Sequence, residues 1–125
     1  MTKDHGLENR IVFYWPAEWG EGMVSMLKEK GLLKDCKHFS KLDDLMEWIY
    51  NNDFDKIIMD IWRPENGEAV YDVGIIRTIR NDFPACKIII TSALPTLQVA
   101  ALFLGADSFF SIPLSYNDLI AMINE

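Results

Sequence analysis

The 125-residue chain has few of the residues on which common metal, redox and membrane sites depend. It contains two histidines and two cysteines, and Cys36 and Cys86 lie far apart without CxxC spacing. We therefore expect reduced, at least partly buried thiols rather than a disulfide or a metal site. The apolar runs fall well short of the roughly 20 residues of a membrane span, and the first ten residues lack an apolar signal core. These absences predict a cytoplasmic protein that does not enter a membrane.

Basic residues are also scarce. Twelve Lys and Arg residues face nineteen Asp and Glu residues, which gives a formal net charge of −7. Nucleic-acid binding depends on clustered positive charge, and a negative field opposes the approach of phosphates. We therefore expect protein partners and no direct contact with nucleic acid. Half of the residues are hydrophobic, which is enough to form one core in a domain of this length.

The stretch KIIMDIWRPENG, residues 56–67, joins an apolar run to a single carboxylate. The run from Ile57 to Met59 predicts a strand that is buried on both faces, as in parallel sheets. Asp60 would then stand at the carboxyl end of a central strand, where ligands and reactive groups collect in open α/β sheets. Asp60 is therefore the main candidate functional residue. The alternative is a strand-end residue that only holds the following loop.

Short apolar runs alternate with amphipathic segments along the whole chain. We predict five strands, at residues 11–15, 33–39, 56–60, 87–91 and 108–112. Five helices are predicted to begin near Glu18, after Ser40, near Val70, at Leu97 and after Ser115. The connections are too long for hairpins, so we expect a parallel sheet with helices on both faces, a doubly wound (βα)5 sandwich. Residues 1–9 are interpreted as a flexible lead-in and residues 10–125 as one folded domain.

Two kinds of helix signal add detail. Ser40 with Asp43, and Ser115 with Asp118, resemble capping boxes at helix starts. The helix at residues 97–104 is apolar nearly all round, which indicates either deep burial or an outer face that contacts a partner. In the second case the candidate interface residues are Val99, Leu102 and Phe103.

Three motifs follow one another in order. Asp60 is followed four residues later by Pro64, TSA occupies residues 91–93, and GADSFFSIP occupies residues 105–113. Together they resemble the receiver domain of two-component response regulators over residues 10–125. The resemblance implies a five-stranded sheet of order 2-1-3-4-5, with Asp60 as the phosphoacceptor. It also implies Ser92 or Thr91 as the switch hydroxyl and Phe109 as the switch aromatic residue.

The charged partners of that family's phosphoacceptor are missing here. The family holds magnesium with an acidic pair after its first strand and places a lysine before the proline of its fifth strand. The matching positions in this chain are Trp15, Pro16 and Ile112. Glu18 remains, with Asp60, as a candidate metal ligand, although a Glu in a first helical turn is also a favourable dipole partner. We expect Asp60 to be an ordinary ionised carboxylate that accepts hydrogen bonds from its loop.

The other candidate residues have structural alternatives as well. Strand-end hydroxyls such as those of Thr91 and Ser92 commonly accept a hydrogen bond from a loop amide. A phenylalanine at position 109 is typical of a core, and Trp15 is either a contact residue or buried within the first strand.

The resemblance implies a signalling module that is not an enzyme. Our first hypothesis is an atypical receiver that needs no cofactor and works through protein contacts, with a histidine kinase or downstream effector as partner. In this hypothesis residues 97–104, together with the fifth strand and the last helix, form a homodimer interface. The second is a conventional receiver that a histidine kinase phosphorylates on Asp60. Magnesium is an expected cofactor only in this second hypothesis. The third is an unrelated flavodoxin-like cofactor protein, although WPAEWGEG after the first strand is not a Gly-rich phosphate loop.

Overall fold

In the computed structural model, which describes residues 10–125, a parallel sheet lies between two layers of helices. The predicted lead-in, residues 1–9, lies outside the described residues. The strands are β1 (Arg10–Tyr14), β2 (Asp35–Phe39), β3 (Lys56–Asp60), β4 (Trp62–Glu65), β5 (Glu68–Tyr71), β6 (Lys87–Ser92) and β7 (Ser108–Ser111). The helices are α1 (Trp19–Glu29), α2 (Leu42–Asn51), α3 (Gly74–Asp82), α4 (Gln98–Phe103) and α5 (Tyr116–Asn124), and a 3-10 turn at Pro95–Leu97 precedes α4.

Five of the strands form the main sheet, in the order β2-β1-β3-β6-β7. All neighbouring pairs are parallel, and in the central strand Ile57 pairs with Val12 on one side and Ile88 on the other. Counted by themselves, these five strands follow the order 2-1-3-4-5. The predicted fold class, a doubly wound α/β sandwich with this strand order, is confirmed.

The core has two halves, one on each face of the sheet. Because successive side chains of a strand point to opposite faces, Ile57 and Met59 pack with α2, α3 and α4, whereas Ile58 packs with α1 and α5. Every residue of β3 is buried, as its continuous apolar run predicted. Burial of each large apolar side chain contributes about 1.5–3 kcal/mol, so this central strand anchors both layers.

A β-hairpin between β3 and α3 departs from the predicted pattern. Strand β4 pairs antiparallel with β5, and the connecting residues Asn66 and Gly67 both have positive φ, 54° and 81°. Such a turn matches the twist of the two flanking strands. Val70, predicted to lie in the third helix, lies in β5 instead, and the helix begins at Gly74. The apolar side chain of Val70 follows the alternation of an extended strand rather than the face of a helix.

One of the two predicted capping boxes is confirmed. The Ser115 side chain accepts a hydrogen bond from the Asp118 N–H, and the Asp118 carboxylate accepts one from the Ser115 N–H. The Ser40 and Asp43 prediction is wrong. The residue that precedes α2 is Lys41, in extended conformation and without a side-chain cap, so the Ser40 hydroxyl lies one position too early.

Two predictions from composition can also be compared with the structure. Cys36 is half-buried and Cys86 is buried, and both are free thiols, as predicted. Within residues 10–125, none of the helices has the length and apolar character required to cross a bilayer.

Candidate functional site

Asp60 lies at the carboxyl end of β3, in register with Thr91 of the neighbouring strand β6. Only 2% of its surface is exposed. Its Oδ1 accepts a hydrogen bond of 2.9 Å from the N–H of Ile61, the next residue. The predicted position at the end of a buried central strand is confirmed, and the carboxylate holds the start of the loop that follows.

The ionisation of Asp60 differs from the expectation. Burial raises the pKa of this carboxyl from 3.8 to about 7, because the ionised carboxylate loses its hydration and the surrounding groups do not make up for that loss. Hydrogen bonds from the Ile61 N–H and from Trp62 lower the pKa, but their effect is smaller. The expectation of an ordinary ionised carboxylate is therefore wrong. The raised pKa favours the protonated, weakly nucleophilic form of Asp60 near neutral pH more than in an exposed aspartate.

The hairpin covers Asp60 from one side. The Tyr14 hydroxyl donates a hydrogen bond of 3.0 Å to the carbonyl oxygen of Trp62, and burial together with the nearby Asp60 raises the pKa of Tyr14 to about 12. Arg63 lines the same space, but its guanidinium pairs with Glu65 and Asp72 at 3.2 Å each. The space left among these side chains is too narrow for a water molecule. The sequence interpretation missed Tyr14, Trp62 and Arg63.

Trp15 is fully buried beside this edge. Its indole Nε1 donates a hydrogen bond of 3.0 Å to the Thr91 hydroxyl oxygen, and its ring packs on Phe13 and Trp19 with centroid distances of 4.9 and 5.1 Å. Of its two sequence interpretations, burial is confirmed. The position that matches one acidic residue of the receiver family thus presents a hydrogen-bond donor.

Both candidate switch hydroxyls are already engaged. Thr91 accepts the bond from Trp15, and the buried Ser92 accepts a hydrogen bond of 3.0 Å from the Leu94 N–H. Ser92 therefore has the loop-holding role that its strand-end position predicted. Phe109 is half-buried and packs against the core on the α2, α3 and α4 side of the sheet.

Solved structures with the same arrangement of strands and helices include response regulators. The beryllofluoride-activated NtrC4 receiver domain dimer superposes with a TM-score of 0.77 at 21% identity, over 93% of each chain. HP1043, an orphan response regulator of H. pylori, gives a TM-score of 0.72 at 17% identity, over 94% of this chain and 95% of that one. The receiver domain of the Francisella response regulator 1452 gives 0.77 at 19% identity, over 93% of each chain.

The fold is that of a response-regulator receiver domain. No protein-family model and no curated protein sequence matches the chain. The receiver fold is thus built here from a sequence that differs from those of its structural neighbours at most positions.

The side chains that match the family's acidic pair offer no ligand to a magnesium ion. Magnesium prefers carboxylates and water, whereas Trp15 offers an N–H donor and Pro16 has no ligand atom in its side chain. Glu18 is exposed just before α1 and Ile112 is half-buried. Within residues 10–125, no three His, Cys, Asp or Glu side chains form a group that could hold a metal. The role of Glu18 as a ligand stays a prediction.

The predicted interface residues lie on the outer face of α4. Val99 and Phe103 are 79% and 78% exposed, Leu102 is 42% exposed, and Ala101 is buried against the sheet. We call Val99, Leu102 and Phe103 the α4 surface. Of the two sequence interpretations of this helix, deep burial is excluded for its outer side, which is apolar and exposed. Its contact with a partner stays a prediction.

Proposed function

We propose that this chain is an atypical receiver module of two-component signalling that acts through protein contacts and not through an aspartyl phosphate. The observation that carries the proposal is the closed environment of Asp60, in which the lining cation, Arg63, is already paired. Its carboxyl is 2% exposed, its pKa is raised to about 7, and the neighbouring Thr91 is bonded to an indole.

Phosphoryl transfer makes demands that this edge meets poorly. The reaction needs an accessible, ionised acceptor and cations that stabilise the charge on the transferring oxygens. A phosphoryl group on Asp60 would bring a charge of about −2 into a buried site. Arg63 is the cation that lines this space, and it is already paired with Glu65 and Asp72. The protein would therefore work as a binding module in the cytoplasm, not as an enzyme, and would need no cofactor.

A second copy of this chain is the proposed partner for the α4 surface. Three large apolar side chains stand exposed on one short helix, and self-association would remove them from water. The beryllofluoride-activated NtrC4 receiver domain, which shares the fold, is a dimer. A histidine kinase or a downstream effector would bind elsewhere or compete for this surface.

Acetyl phosphate with magnesium tests the chemistry. We expect intact-protein mass spectrometry to detect no phosphoryl adduct, while a receiver of known activity in the same buffer gains one. The alternative, a conventional phosphoacceptor, is favoured by the position of Asp60 at the end of β3 in a receiver fold. It predicts an adduct that Asp60→Ala abolishes.

Light scattering tests the dimer. We expect a dimer at high micromolar concentration and a monomer after Phe103→Glu, which places a charge in the α4 surface. Tyr50→Glu is the matched control, because Tyr50 is an exposed aromatic residue on α2, at a different part of the surface. A monomeric wild type, or a dimer that both variants leave intact, would contradict the proposed interface.

A further inference from the structure

An apolar pocket lies between α1 and the segment that follows β7. Its volume is about 230 Å³, and its walls are the side chains of Trp19, Met23, Ile112, Pro113 and Leu114. All five are apolar. The receiver resemblance implies a lysine–proline pair at positions 112 and 113. Ile112 replaces the lysine of this pair, and Pro113 keeps its proline.

The size and lining of the pocket define the ligand that it fits. A dry apolar cavity of about 150 Å³ is large enough to bind benzene, whereas drug-sized ligands occupy pockets of about 300–1,000 Å³. A volume of about 230 Å³ therefore corresponds to one or two fused rings. Trp19, 36% exposed, offers a ring for stacking, and the Met23 thioether adapts to aromatic edges. No charged side chain lines the walls, and the net charge of −7 opposes an anion.

Two walls of the pocket connect to the strand ends beside Asp60. The Trp19 ring packs on Trp15, whose indole donates its hydrogen bond to Thr91. The backbone N–H of Ile112 donates a hydrogen bond of 2.9 Å to the carbonyl oxygen of Ser92. A molecule that displaces Trp19 or Ile112 therefore acts on the residues that carry the two candidate switch hydroxyls.

We propose that this pocket binds a small, uncharged aromatic molecule of one or two rings. Binding changes the packing of Trp19 on Trp15 and so reaches Thr91 and Ser92. The use of this signal as the input of the module rests on the proposed function, whereas binding itself does not. The phosphorylation test concerns Asp60 alone, so the two proposals fail separately.

Titration of the ¹⁵N-labelled protein with indole tests the inference by NMR. We expect saturable shifts, at millimolar concentration or below, of the Trp19, Met23 and Leu114 amides and of the Trp15 indole N–H. Met23→Trp fills the pocket and should weaken binding at least tenfold, about 1.4 kcal/mol. The matched control Ser25→Trp lies on the exposed face of the same helix and should leave binding unchanged.

A second variant covers the case in which Met23→Trp fails to fold. Ile112→Lys puts an ammonium group at the pocket wall and should abolish the indole shifts while the fold, followed by circular dichroism, is kept. Indole-3-acetate, the anionic counterpart, should bind more weakly than indole. Absence of saturable shifts, shifts that survive both variants, or equal binding of the anion would overturn the site. Shifts confined to the pocket amides, without the Trp15 indole N–H, would overturn the connection to the strand ends.

Discussion

Asp60→Asn should make the protein more stable at neutral and alkaline pH. In the unfolded chain this carboxyl ionises near 3.8, whereas burial raises its pKa to about 7 in the folded state. The folded state thus holds the proton more tightly, and the stability present at low pH is lost as the pH rises from about 4 to about 7. At 1.36 kcal/mol per pKa unit, the loss is about 4 kcal/mol. Asparagine has nearly the same shape and no charge, so it escapes this loss.

The measurement is urea unfolding of the wild type and of Asp60→Asn at about pH 5 and about pH 8. The advantage of the variant in free energy of unfolding should be about 3 kcal/mol larger at the higher pH, since two pKa units separate pH 5 from the folded pKa. Asp53→Asn, at an exposed carboxylate, corrects for the general pH dependence. A difference between wild type and Asp60→Asn that does not change with pH would refute the argument.

Four further substitutions test the packing around the site and the hairpin turn by urea unfolding. Trp15→Phe should lower stability by about 2 kcal/mol, because Thr91 loses a buried hydrogen-bond donor; an unchanged midpoint would contradict this. Gly20→Ala should lower stability by about 1–3 kcal/mol, because its Cβ would lie 2.6 Å from the Cβ and from the carbonyl oxygen of Trp15. Gly22→Ala is the control. A Cβ at this position has nothing within 4 Å, so the variant should raise stability by about 0.5–1 kcal/mol. Gly67→Ala should cost about 1 kcal/mol at φ 81°, and no loss would mean that the hairpin turn differs.

The sheet could be predicted from the sequence because its signals are local. The runs around Ile58 and Ile89 are apolar without alternation, and this pattern, short and closed by turn residues, is typical of a strand buried on both faces. The helix cap at Ser115 could also be predicted, because a capping box joins residues only three positions apart in the sequence. The same motif at Ser40 failed because a one-residue shift of the helix start removes the hydroxyl from the capping position.

The hairpin had a signal that the prediction overlooked. Asn66-Gly67 is the strongest short-range hairpin dipeptide, and Trp62 and Tyr71 are strand-favouring residues on either side of it. The prediction rested instead on the helical spacing of four apolar residues, Val70, Val73, Ile76 and Ile79. The last three of these do lie at the start of α3 or within it. A helix of nine residues and a four-residue strand share too few periods for spacing alone to separate them.

The protonation of Asp60 could not be read from the sequence. Its raised pKa comes from burial, and that burial depends on residues from separate segments, Tyr14 on β1 and the hairpin that follows β3. The bond between Trp15 and Thr91 likewise joins residues 76 positions apart. The sequence showed which charged residues of the family are missing near Asp60. Only the fold shows which side chains lie near Asp60 instead.

The most direct test of the proposed function is a beryllofluoride titration in the presence of magnesium, followed by ¹H–¹⁵N NMR. Beryllofluoride mimics a phosphoryl group on an acceptor aspartate. We predict that the amides of Ile61, Thr91 and Ser92 keep their positions when beryllofluoride and magnesium are added together. Saturable shifts at these amides that Asp60→Ala removes would contradict the account and identify Asp60 as a working phosphoacceptor.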